Sequence, residues 1–240
     1  MRHLAACATA AIAASATSAL AGPLLTVQAS VGGFASMTAT SNGASTDTAG
    51  RFSYIGGLVN KFPNPDWAIS WDLVGDDTSV FSDSTFITNG FRVQNLTNSS
   101  KTFDITVTLE SAGPANLQLL CDALLGGTLT SDVAGGTATL TSSGPLWLGQ
   151  INGISRASTG IMSGADLSTG STFSFGPETS DWTGTVTGDL ESVGYRLQFT
   201  LGANSTALFS GYWFGEVVPA PGAFATLCMA ATIAGRRRRT

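Results

Sequence analysis

The chain reads as an all-β protein built as an antiparallel β-sandwich of jelly-roll type. Three observations predict this. Apolar and polar residues alternate with period two in several segments. No sustained period of 3.6 residues appears between Leu24 and Phe214. Short apolar-alternating runs are separated by Gly-, Ser-, Thr- and Asn-rich connections in a chain with 29 glycines.

The alternation is clearest in Phe103–Leu109, where Phe103, Ile105, Val107 and Leu109 share one face and Asp104, Thr106 and Thr108 the other. Tyr195–Leu201 repeats it, with Arg196, Gln198 and Thr200 outward. Trp67–Leu73 places Trp67, Ile69, Trp71 and Leu73 together. One apolar face and one polar face per strand is what an antiparallel sheet covered on one side requires. Further strands are expected at Phe52–Val59, Gly127–Thr130, Thr137–Leu140, Leu146–Ile151, Thr172–Phe175 and Ala207–Phe214. Polar linkers, Leu96–Lys101 and Gly202–Thr206, read as hairpin loops that return the Phe91–Asn95 strand into Phe103–Leu109 and the Tyr195 strand into Ala207–Phe214. The Gly/Ser/Thr-rich stretch 30–50 reads as an exposed loop or a ragged edge.

The two ends differ from this pattern. Met1-Arg2-His3 is a short positive start, Leu4 to Ala19 is apolar and Ala-rich, and Ala19-Leu20-Ala21 is a small-x-small site. This predicts a secretory signal peptide over 1–21, cut after Ala21. At the other end, Val217 to Gly235 carries no charge. As a helix, at about 1.5 Å per residue, it would extend about 28 Å, close to the hydrocarbon thickness of about 30 Å. Arg236, Arg237, Arg238 and Arg239 follow it and predict stop-transfer with a cytoplasmic C-terminus. Three segments result: a signal peptide over 1–21, a β-sandwich ectodomain over 22–216 and a tail over 217–240 holding one transmembrane helix.

The tail carries Val218-Pro219-Ala220-Pro221 ahead of the apolar run and the Arg cluster. In this order the chain resembles the PEP-CTERM family of exported bacterial surface proteins, with Ala220 where the family usually has Glu. The resemblance covers about the last tenth of the chain. It implies recognition by an exosortase-like membrane sorting enzyme, with Val218, Pro219, Ala220 and Pro221 as the motif. It also implies a link to exopolysaccharide or biofilm export. It says nothing of residues 22–216. An ordinary, uncut C-terminal anchor is the alternative.

Composition limits what the central segment does. All 16 acidic residues fall within 22–216, while Arg2 and the four tail arginines, of 11 basic residues, fall outside. Six cations remain and the segment carries a charge of −10, which argues against nucleic-acid binding. The single histidine is His3, within the signal peptide. The segment therefore has no His for a Ser-His-Asp or Cys-His mechanism or for a zinc site. Of three cysteines only Cys121 lies within it, in the apolar context Leu119-Leu120-Cys121, so no internal disulfide forms and Cys121 reads as buried.

Carboxylates are the one catalytic group in number, in the groups Asp72, Asp76, Asp77 and Glu178, Asp181, Asp189, Glu191. These could ligate calcium or act as a glycosidase pair, but they read first as solvated loop acids. No cofactor is expected. Trp67, Trp71 and Trp147 sit in apolar strands and read as core. Trp182, in Thr179-Ser-Asp-Trp-Thr-Gly184, has polar neighbours and is the candidate carbohydrate contact. The sequence thus points to an exported surface or matrix protein of structural or interaction type, not an enzyme. A carbohydrate-binding module and a carboxylate-dependent glycan hydrolase are the alternatives.

Overall fold

The computed structural model describes residues 22–218 except 49, 77–83, 114–115 and 157–159. The segments expected to form the signal peptide and the Arg cluster lie outside the described residues, as does the expected transmembrane run from 219 onward; its first residue, Val217, instead ends a β-strand. Pro219, Ala220 and Pro221 thus lie outside the described residues; Val218 is inside them. Among the described residues no helix is long and apolar enough to cross a membrane.

The strands are β1 (Leu24–Val31), β2 (Met37–Asn42), β3 (Ala44–Ser45), β4 (Arg51–Val59), β5 (Trp67–Asp76), β6 (Ser84–Asn95), β7 (Lys101–Gly113) and β8 (Leu117–Ser131). They continue with β9 (Ala138–Thr141), β10 (Trp147–Ile151), β11 (Ile154–Ser155), β12 (Asp166–Thr169), β13 (Thr172–Val186), β14 (Leu190–Leu201) and β15 (Ser205–Val217). Two sheets form. The first runs β11-β10-β14-β7-β1-β2, with β9 also on β14 and β12 on β9; the second runs β13-β8-β15-β6-β5-β4-β3. Every named strand pairing is antiparallel. The class expected from the alternation is the class observed.

The core lies between the sheets. Val27, Ile105, Val107, Leu197 and Phe199 from the first sheet meet Trp67, Ile69, Leu73, Phe91 and Phe209 from the second, all essentially inaccessible. Aromatic rings bridge the layer: Phe91 stands edge-on to Tyr195 at 6.4 Å, Phe199 lies 5.2 Å from Phe209, and Trp147 stands edge-on to Trp213 at 5.6 Å. Such rings bury large apolar areas and add directional contacts. Trp67, Trp71 and Trp147 are core residues, as their apolar strands indicate.

Two expected hairpins are instead passages between the sheets. β6 belongs to the second sheet and β7 to the first; β14 belongs to the first and β15 to the second. The physical reason is Asn95, wholly buried at the end of β6. Its Nδ2 donates to Ser99 O (2.8 Å), Leu201 O (3.1 Å) and Gly202 O (2.7 Å), and its Oδ1 accepts from Thr97 N (3.1 Å) and Thr97 Oγ1 (2.8 Å). One side chain thereby ties both linkers together at one end of the sandwich.

Strand content also exceeds the expectation in three places. Stretch 30–50 contains the end of β1, all of β2 and β3. The Gly127–Thr130 strand is the end of the longer β8. Glu178 and Asp181, expected as loop acids, lie with Trp182 within β13. β2, β3 and the second half of β13 are rich in Gly, Ser and Thr, and their partners hold them extended, whereas β8 alternates on its own account, burying Leu119, Cys121, Ala123 and Leu125.

Candidate functional site

Period two along β1, β7 and β14 sends Val27, Ala29, Ile105, Val107, Tyr195 and Leu197 into the core. The residues between them face solvent. Register aligns Gln28 with Thr106 and Thr106 with Arg196, while Ser30 aligns with Asp104. These side chains, with Ser36 and Gln150, line an open concavity of about 300 Å³ on the outer side of the first sheet.

A second row runs beside the first: Thr26 opposite Thr108, Thr108 opposite Gly194, Gly194 opposite Gln150. Gly194 is needed here, because a Cβ would stand 2.1 Å from the Val107 carbonyl oxygen. A strand that carried a side chain there could not approach β7 as closely. Gln150 is only 8% exposed, and its Nε2 donates to Ser155 Oγ at 3.1 Å.

One ion pair crosses the concavity. Arg196 Nε donates to Asp104 Oδ1 at 2.7 Å, and Arg196 Nη2 donates to Asp104 Oδ2. This bidentate hydrogen bonding raises the Arg196 pKa above its ordinary value. Both side chains remain about one-third exposed, at 34% and 31%. A guanidinium has five N–H donors and a carboxylate about four acceptor positions. After the mutual pair, donors and acceptors therefore remain side by side and accessible. The lining is otherwise hydroxyl and carboxamide, without an aromatic ring. Asp104 is the one carboxylate in the lining, so the paired carboxylates of a glycosidase are not assembled there.

The residues singled out in the sequence lie elsewhere. Trp182 is half-buried on the core-facing side of β13 and packs against the core. Its polar neighbours Asp181 and Thr183 point outward, while Trp182 itself follows the inward alternation. Arg156 covers its ring at 4.9 Å. Asp72 and Asp76 lie within β5, and Asp76 pairs with Arg51 at 2.7 Å; Asp77 lies outside the described residues. Glu178 and Asp181 lie in β13, Glu191 in β14 and Asp189 between them. Among the described residues no group of three or more His, Cys, Asp or Glu side chains could hold a metal ion. Val218 continues the sheet, its N–H donating to Gln118 O at 2.8 Å. Cys121 is free and buried, and burial pushes its thiol up to about 12.

The concavity is half visible in sequence. Asp104, Thr106 and Arg196 are the polar members of two alternating strands. Gln28, Ser30, Ser36 and Gln150 give no signal of their own, because only pairing across strands gathers them.

No family model matches the chain, and no curated protein matches it. Among solved structures, similarity extends to the C-terminal CBM6 of the laminarinase LamC from Zobellia galactanivorans. That match has 9% identity over 67% of this chain and 98% of the other, with a TM-score of 0.16. TmCBM61 in complex with β-1,4-galactotriose matches at 9% identity over 62% and 86%, with a TM-score of 0.19. The isomalto-dextranase of Arthrobacter globiformis T6, complexed with panose, matches at 14% identity over 75% and 26%, with a TM-score of 0.21. At scores this low no ligand is carried over from these proteins.

Proposed function

We propose that this chain is an exported surface or extracellular-matrix interaction protein whose sandwich binds polysaccharide through the concave face of its first sheet. The observation that carries this reading is the concavity of about 300 Å³, lined by hydroxyl, carboxamide and paired charged groups. Such a surface can exchange many hydrogen bonds with a polyhydroxylated chain, and a cleft with convergent polar groups is where a ligand belongs. This moves the site from Trp182, whose ring is half-buried with Arg156 over one face, to Gln28, Asp104, Thr106 and Arg196.

Delivery follows from the two ends of the sequence. The leader ending at Ala19–Ala21 supports export. The motif Val218-Pro219-Ala220-Pro221, the apolar run and Arg236–Arg239 support handling by an exosortase-like enzyme. β15 leads to Val217 without an intervening linker, so before processing the sandwich sits close to the membrane.

The test is affinity electrophoresis of the protein recovered from cells, in gels cast with the polysaccharide of the same cells. Retardation is expected, and it is expected to be lost when Gln28→Trp fills the concavity from its exposed rim. Equal mobility with and without polysaccharide would overturn the reading.

A further inference from the structure

We infer that the concavity selects uncharged glycans and reads neighbouring hydroxyls through Arg196 and Asp104 acting as one unit. This rests on the polysaccharide-binding reading above and narrows it to a ligand class.

Charge is the first reason. The lining holds one cation and one anion, and each neutralises the other. None of the other five cations of 22–216 lines the concavity. Arg51 and Lys61 are held in ion pairs with Asp76 and Asp66, Lys101 lies over Phe34 and Arg156 over Trp182, while Arg92 is on the second sheet. The segment as a whole carries −10. A uronate- or sulfate-bearing polymer approaching this face meets a repulsive field and finds no unpaired cation in the lining to receive it.

The second reason is the kind of contact on offer. Without an aromatic ring in the lining, a sugar is not gripped by its apolar face, and recognition falls on hydroxyl edges. Hydroxyls both donate and accept. The Arg196–Asp104 pair presents accessible N–H donors beside accessible carboxylate lone pairs, held in a fixed plane by two parallel hydrogen bonds. Two adjacent hydroxyls can give a proton to Asp104 and accept one from Arg196. A carboxylate only accepts, so it cannot satisfy the Asp104 half. Lysine in place of Arg196 would keep the charge and lose the fork.

The experiment uses the full-length protein in affinity gels containing dextran, a neutral galactan or polygalacturonate, at low ionic strength, where charge effects are largest. Retardation by at least one neutral polymer and not by polygalacturonate is expected. Arg196→Lys is expected to weaken neutral binding by about tenfold. Gln28→Lys, at an exposed position, is expected to create retardation by polygalacturonate. Polygalacturonate binding by the unaltered protein as strong as neutral binding, or unchanged neutral binding in Arg196→Lys, would overturn the inference and leave the glycan-binding reading standing. Failure to bind any polymer, including the cell's own, would sink both.

Discussion

Arg196 reaches past its register partner Thr106 and binds Asp104, two positions along β7. A long side chain spans such a diagonal across antiparallel strands. Because both groups keep about a third of their surface, the pair contributes little to stability. For Asp104→Asn we expect a loss of less than about 1 kcal/mol in chemical unfolding. Binding to a neutral glycan should fall by about tenfold in the same variant, since the remaining carboxamide presents one acceptor in place of two. A large stability loss, with binding unchanged in the folded fraction, would assign the pair a structural role instead.

Asn95 is the opposite case: buried, neutral and committed in every direction. Its amide holds the Leu96–Lys101 and Gly202–Thr206 linkers against each other through Ser99, Leu201 and Gly202. Asn95→Ala leaves buried carbonyls without a donor and should cost about 2–4 kcal/mol. The check is the urea midpoint with an unchanged m-value. Asn95→Asp should be worse at neutral pH, because a carboxylate would face carbonyl oxygens and cannot donate to them.

The same residue explains how far the sequence could be read. Alternation in Phe103–Leu109 and Tyr195–Leu201 identified strands, and even which side chains face water. It could not tell a hairpin from a passage between sheets, since both need a short polar linker. That choice rests on a buried Asn whose partners Leu201 and Gly202 are 106 and 107 positions away. The concavity was hidden for a similar reason: Gln28, Asp104, Gln150 and Arg196 lie far apart in sequence and meet only through the order β10-β14-β7-β1. Trp182 shows the converse case. Its neighbours in sequence are polar because they face outward, while its own ring turns inward with Ser180 and Gly184.

Gly184 makes room for that ring. A Cβ at position 184 would lie 2.4 Å from Trp182 Cζ2. The indole has little freedom to yield, packed on the core on one side and covered by Arg156 on another. Gly184→Ala should therefore destabilise by about 1–3 kcal/mol through overpacking. When Gly184→Ala is combined with Trp182→Leu the smaller side chain removes the clash, so the cost of the alanine should shrink. If Gly184→Ala costs the same with Trp182 in place as in the Trp182→Leu background, the contact is not what limits position 184.

Cys121 links the core to pH. Trp182 is its register partner on β13, and burial is the main reason its thiol titrates only near about 12. An unfolded cysteine titrates near about 8.5. The folded value is the raised one, so this residue's contribution to stability is complete below the unfolded value. It is lost as pH rises from there toward about 12. In this window each pH unit should remove up to about 1.4 kcal/mol. Lysine and tyrosine titrate in the same range, so the measurement is a difference: unfolding free energy against pH for the protein and for Cys121→Ala. The variant should be less stable at about pH 7, because it leaves a small void, and should lose stability less steeply above about pH 9. Alkylation mapped to the Cys121 peptide gives the second readout. At about pH 8 it should be absent in the native protein and complete in urea, because the thiolate is the reactive form and the folded core withholds it. Native labelling at the rate of an exposed thiol would mean that the β13 edge opens far more readily than its packing implies.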